Sequence, residues 1–127
     1  MVFLIADDSS KMRASFKRMI THSVPDHHTV VEAADGSAAI RMYDEVHPDW
    51  VLMDIKMEPV DGLSASRSIL AAHPDAKIVI LTNYDDPAYR TAARDAGVRA
   101  YLLKEDVTDI LALLREHPNN DQSRTIT

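Results

Sequence analysis

Five short apolar runs punctuate the chain, and between them lie segments whose apolar positions recur every three to four residues. Residues 2–6 are solidly apolar and stop at Asp7-Asp8, which suits a strand buried on both faces. Ser9 or Ser10 then caps a helix carrying Met12, Phe16, Met19 and Ile20 on one side. Pro25-Asp26 marks a turn, and the β-branched Thr29-Val30-Val31 reads as a second strand. Gly36-Ser37 opens a second helix with Ala39, Met42, Tyr43 and Val46 on one face, stopped by Pro48. Residues 50–55 predict the third strand, and the loop after it ends in the turn residues Asp61-Gly62.

A third helix is expected over 63–72, with Leu63, Ile69 and Leu70 inward and Pro74 closing it. Residues 77–81 form another apolar run, ending in Thr82. Asp86-Pro87 starts a helix with proline at its first position, and Gly97 stops it. Tyr89, Ala92, Ala93 and Ala96 give that helix a face of mainly small residues. Residues 99–103 are the fifth strand and deliver Lys104. The last helix, over 107–116, places Val107, Ile110, Leu111 and Leu114 at helical spacing. Strands alternating with helices throughout imply an open parallel sheet covered by helices on both faces. Ligands of such sheets sit in the crevice at strand C-termini, where the strand order reverses.

That rule changes the weight of a few polar residues. Asp7-Asp8, Asp54, Thr82 and Lys104 each follow or end an apolar run, so one crevice would collect them. Singly, each has a commonplace use: Asp-Asp-Ser as a helix cap, threonine as turn chemistry, lysine as a solvated cation. Together they are three carboxylates, a hydroxyl and a cation. Carboxylates that close repel one another and call for a cation, and an all-oxygen donor set suits Mg²⁺ best. Asp54 is then the candidate nucleophile for an aspartyl phosphate, with Thr82 and Lys104 serving phosphoryl oxygens. No glycine-rich phosphate loop accompanies them, so nothing here is built for ATP.

Composition narrows the remaining classes. At 127 residues the chain fits one domain, which buries roughly two thirds of its unfolded surface without staples. The absence of cysteine removes disulfide, thiolate-metal and thiol chemistry. A formal charge of -6 with scattered basic residues argues against direct nucleic-acid binding. His27-His28 lack a third ligand and are read as loop residues. The N-terminus meets acids at once and is read as a strand rather than a signal peptide. No run approaches the ~18 apolar residues of a membrane span, and the expected location is cytoplasmic and away from membranes.

The set Asp7-Asp8, Asp54, Thr82 and Lys104 resembles the receiver domain of two-component response regulators over nearly the whole chain. The segment from Asp54-Ile55-Lys56-Met57 to Asp61-Gly62 is close to that family's Asp-x-x-Met-Pro-x-x-Asp-Gly loop. Leu81-Thr82-Asn83-Tyr84-Asp85-Asp86, Ala96-Gly97 and Tyr101-Leu102-Leu103-Lys104 look like receivers of the LuxR/NarL-like helix-turn-helix transcription factors. The resemblance implies a flavodoxin-like, doubly wound (βα)5 fold with strand order 2-1-3-4-5. It implies that Asp54 takes phosphate from a sensor histidine kinase or phosphotransfer protein. Asp8 and Asp54 would bind Mg²⁺ directly, Asp7 through water, and the Lys56 backbone carbonyl would add a ligand. Thr82 and Lys104 would reorganise around the phosphoryl group, and Tyr101 would turn inward as the aromatic switch. A homodimer through the fourth helix, fifth strand and fifth helix is the implied output surface.

Four positions depart from the pattern. Glu58 stands where the loop proline is usual, Asn83 where a small residue is, and Glu105 where proline often follows the lysine. Lys56 puts a long cation two residues after the acceptor, and it is expected to set the phosphoryl lifetime together with Tyr84. Two rival readings remain at this stage. One is a Mg²⁺-dependent aspartyl-phosphate phosphatase, which needs an acid two residues after its nucleophile, where Ser9, Ser10 and Lys56 stand. The other is a degenerate receiver that binds partners without phosphate. Residues 1–117 are expected to form the receiver, and 118–127 a polar C-terminal tail or the start of a linker. Both a stand-alone receiver and the receiver of a DNA-binding regulator fit that ending.

Overall fold

The computed structural model describes residues 1–24 and 27–115. The turn expected at Pro25-Asp26 and everything from Glu116 on, including the boundary after residue 117, lie outside the described residues. Ten elements alternate in chain order: β1 Val2–Ala6, α1 Ser10–Ser23, β2 Thr29–Ala33, α2 Gly36–Val46, β3 Trp50–Met53, α3 Gly62–Ala72, β4 Ile78–Thr82, α4 Pro87–Ala96, β5 Ala100–Leu103 and α5 Val107–Leu114. The five strands pair in parallel in the order β2-β1-β3-β4-β5. The fold is therefore the flavodoxin-like α/β sheet that the alternation and the resemblance foretold.

The solid apolar runs have a plain cause. Side chains of successive strand residues point to opposite faces, and here both faces are covered. Phe3, Ile5, Trp50, Leu52, Val79 and Leu81 pack with Phe16, Ile20, Ile110 and Leu114 of α1 and α5. Leu4, Ala6, Val51, Met53, Ile78 and Ile80 pack on the other side with Ala39 and Tyr43 of α2, Leu63 and Ile69 of α3, and Ala93 of α4. Each layer thus takes alternate residues of one run.

Helix starts follow capping chemistry. Ser9 caps α1, accepting from the Met12 N–H at 3.2 Å. Asp35 and Asp61 cap α2 and α3 in the same way; α2 starts at the expected Gly36, whereas α3 starts at Gly62, one residue before the expected Leu63. Asp86 caps α4 ahead of Pro87, and Gly97 ends it with φ +96°, in the left-handed region. Three strands depart from their expected bounds: β3 and β5 are shorter, and β4 is shifted by one residue to take in Thr82. β3 stops at Met53 rather than residue 55, β4 begins at Ile78 rather than Lys77, and β5 begins at Ala100 rather than Arg99. At β3 the reason is local: the Asp54 side chain accepts the Ile55 N–H at 2.9 Å, and the Ile55 carbonyl is taken by Met57 and Gly62. Among the described residues no helix is long and apolar enough to cross a membrane.

Candidate functional site

The strand order reverses between β1 and β3, and the polar residues singled out above gather at that end of the sheet. Ala6 pairs with Met53, Met53 with Ile80, and Thr82 with Leu103, so four strands finish close to one level. Backbone bonds carry the ladder one step further. The Asp54 N–H donates to the Ala6 carbonyl at 2.9 Å, Asp7 to Ala33 at 3.0 Å, and Lys104 to Thr82 at 2.9 Å. Asp7, Asp54 and Lys104 are therefore held by the sheet's own hydrogen-bond ladder rather than by a free loop.

Carboxylate oxygens of Asp7, Asp8 and Asp54 lie within 4.8 Å of one another. Asp7 and Asp54 are buried, whereas Asp8 faces solvent. Lys104 reaches into the same space, with its ammonium 2.8 Å from Asp7 Oδ2 and 3.4 Å from Asp54 Oδ1. The second oxygen of Asp7 accepts the Ser9 N–H at 2.9 Å, and its backbone carbonyl accepts from Arg13 Nη1 at 2.7 Å. Arg13 is in turn paired with Glu32 at 2.9 Å. Sequence reasoning passed over Arg13, and its place in the first turn of a capped helix after Asp7-Asp8 was the available signal.

The charges are unequally satisfied. Burial, then the charge of Asp7, push the Asp54 carboxyl up to about 6, against the pull of Lys104 and the Ile55 N–H. Burial draws the Lys104 ammonium down, but its hydrogen bond to Asp7 and the charges of Asp54 and Asp7 win and hold it above its ordinary value. One cation shared by two buried carboxylates is too little. The site retains an appetite for further positive charge, and its all-oxygen donor set fits a hard divalent ion such as Mg²⁺.

Thr82 is fully buried, and its hydroxyl oxygen accepts the Tyr84 N–H at 3.2 Å. Tyr84 is the most exposed large apolar side chain described, and the Lys56 ammonium lies 4.3 Å from its ring centre. The two residues paired by the sequence reading are thus in contact. Tyr101 is half-buried on β5, and its hydroxyl donates to the Tyr84 carbonyl at 2.6 Å. Arg90 stacks over the Tyr101 ring at 4.6 Å and pairs with Asp85 at 2.8 Å, an arrangement no sequence pattern announced. Glu58-Pro59 is the cis peptide bond of the described chain, and Lys104-Glu105 is trans. Ser9, two residues after Asp7, spends its hydroxyl as a helix cap. His27 and His28 join no metal-competent cluster among the described residues.

Comparison with known proteins agrees with this geometry. The family model described as response regulator receiver domain matches residues 3–115. The transcriptional regulatory protein DegU of Brevibacillus brevis is 35% identical over 108 residues, covering 85% of this chain and 45% of that protein. The oxygen regulatory protein NreC of Staphylococcus epidermidis is 37% identical over 114 residues, 89% of this chain and 52% of that protein. Among solved structures, a two-component response regulator of the LuxR family from Aurantimonas sp. SI85-9A1 matches with a TM-score of 0.80 at 31% identity, covering 87% of this chain and 79% of that one. The chain spans about half the length of the curated relatives it matches.

Proposed function

Because the chain belongs to the response regulator receiver domain family, we propose that it is a phosphorylation-controlled switch whose acceptor is Asp54. Members of this family are signalling switches rather than catalytic enzymes. The observation that carries the assignment is the buried Asp54 carboxylate, raised to about 6, beside Asp7 and within 3.4 Å of the Lys104 ammonium. An Asp54 oxygen forms the new O–P bond as the N–P bond of a phosphohistidine breaks, and the imidazole leaves with the electron pair and takes up a proton. Asp7, Asp8, Asp54 and the Lys56 backbone carbonyl would hold Mg²⁺, which supplies positive charge against the incoming phosphoryl oxygens.

Lys104 keeps its position and trades part of its pairing with Asp7 for a phosphoryl oxygen. The Thr82 hydroxyl, whose oxygen already accepts from Tyr84, has its own proton left to donate to another. The Tyr84 N–H and carbonyl touch Thr82 and Tyr101 respectively, so movement at Thr82 is passed to the α4–β5–α5 face. That face is the proposed homodimer surface. The phosphoryl donor is a sensor histidine kinase or phosphotransfer protein, and the setting is the cytoplasm, where such donors present phosphohistidine. The relatives named as transcriptional regulators support an output in transcription, with residues 1–117 as the receiver unit.

Intact mass after incubation with acetyl phosphate and Mg²⁺ tests the assignment. One added phosphoryl group is expected, absent in Asp54→Ala and without the metal. A histidine-kinase trial follows if the small donor fails, and no gain from either would overturn the reading. A second expectation concerns lifetime. Lys56 over Tyr84 shields the mouth, so replacing both with alanine should speed loss of the phosphoryl group several-fold, measured by decay of the phosphorylated mass. An unchanged decay would remove both residues from that role.

A further inference from the structure

A solvent-open cavity of about 460 Å³ lies at the carboxylate site, lined by Asp8, Lys56, Met57 and Glu58. Glu58 is exposed, but the loop that carries it is pinned on both sides. Met57 is buried and its N–H bonds the Ile55 carbonyl at 3.0 Å. Beyond Glu58, the Val60 carbonyl takes the Gly36 N–H at 2.9 Å, and the Gly62 N–H returns to Ile55 at 2.8 Å. The backbone at Glu58 is thereby held, and its side chain lines the cavity.

Its charge is not met by a direct ion pair. Among the described residues no ion pair includes Glu58, and the neighbouring cation, Lys56, has its ammonium over the Tyr84 ring. Glu58 lies outside the group of three carboxylates close enough to share an ion, so it acts on the site through its field rather than as a ligand. A negative charge lining a solvent-open cavity beside Asp8 attracts a dication and repels a small dianion approaching through it.

We infer that Glu58 is a specificity-determining residue of the phosphoryl site: it favours the divalent cation and disfavours small, free anionic donors relative to a phosphohistidine presented by a protein. The inference rests on the acceptor reading of Asp54 above. A protein-bound donor whose surface places cations opposite Glu58 escapes the penalty.

The test compares Glu58→Gln with Glu45→Gln, which makes the same change of net charge on the exposed side of α2, away from the cavity. Mn²⁺ binding is read from the free-ion paramagnetic resonance signal, and phosphorylation by acetyl phosphate is timed at saturating Mg²⁺. Glu58→Gln is expected to weaken Mn²⁺ binding about fivefold at low ionic strength and to speed acetyl phosphate transfer by a similar factor, both effects fading in high salt. Glu45→Gln should change neither. The opposite signs matter, since damage to the loop would lower both affinity and rate. Unchanged values, changes of the same sign, or equal effects from Glu45→Gln would overturn the inference while leaving the acceptor reading intact. Wild-type protein that neither binds Mn²⁺ nor takes a phosphoryl group would overturn the acceptor reading and this inference with it.

Discussion

Gly62→Ala is expected to cost the fold about 3 kcal/mol and to weaken Mg²⁺ binding in the protein that remains folded. Gly62 is the first residue of α3, and a Cβ placed on it would fall onto the backbone carbonyl of Asp54 and crowd the Met53 side chain. Backbone cannot swing aside as a side chain does. Nor can Gly62 retreat cheaply, because its N–H is bonded to the Ile55 carbonyl at 2.8 Å. The clash must be relieved by shifting Asp54, which is why metal affinity should fall along with stability. Gly97→Ala supplies the contrast. Its Cβ would sit an ordinary 3.8 Å from Leu70, so the cost is left-handed backbone strain alone, about 1–2 kcal/mol, with the site untouched. Urea unfolding followed by Trp50, the sole tryptophan and fully buried, would measure both. A loss under about 1 kcal/mol for Gly62→Ala, with Mg²⁺ affinity intact, would show that the helix start can shift freely.

Gly62 also marks the limit of what the sequence discloses. Asp61-Gly62 reads as turn chemistry, whereas in the structure Asp61 caps α3 and Gly62 opens it, and the close approach to Asp54 is a relation between two elements. The sheet was legible because burial on both faces makes every central strand a solid apolar run with a polar stop. Asp7, Asp54, Thr82 and Lys104 were legible for the same reason, since a parallel sheet sends all its strand ends to one edge. The Lys104 contact with Asp7, 97 residues away, followed from that rule in outline but not in distance. The end of β3 was misplaced by two residues because Ile55 continues the apolar run. Its burial comes from the loop packing back on the core rather than from strand pairing. Arg90 over Tyr101 left no trace in any local pattern, because an exposed helix arginine looks the same whether or not a ring lies beneath it.

Asp54→Asn is expected to stabilise the metal-free protein by about 2–3 kcal/mol at neutral pH, although it removes the residue on which the proposed function depends. A carboxyl raised from 3.8 to about 6 binds its proton more tightly in the folded state than in the unfolded one. Its ionisation therefore costs stability, a cost fully present above pH 6 and lost as pH falls through 6 toward 3.8. The advantage of Asp54→Asn should be complete at pH 7 and above, shrink through pH 5, and vanish below pH 4. The Asn side chain can still accept the Ile55 N–H, and Lys104 retains Asp7 at 2.8 Å, so no new buried charge is orphaned. Divalent metal should reverse the order: Mg²⁺ raises the unfolding midpoint of the wild type in proportion to the logarithm of its concentration and does much less for Asp54→Asn. Urea titrations at pH 4, 5, 6 and 7.5, with and without Mg²⁺, would decide. Equal stabilities at pH 7.5 without metal would mean that Lys104 and solvent already satisfy Asp54. Its charge would then be an ordinary solvated one, and the tension attributed to this site would have to be abandoned.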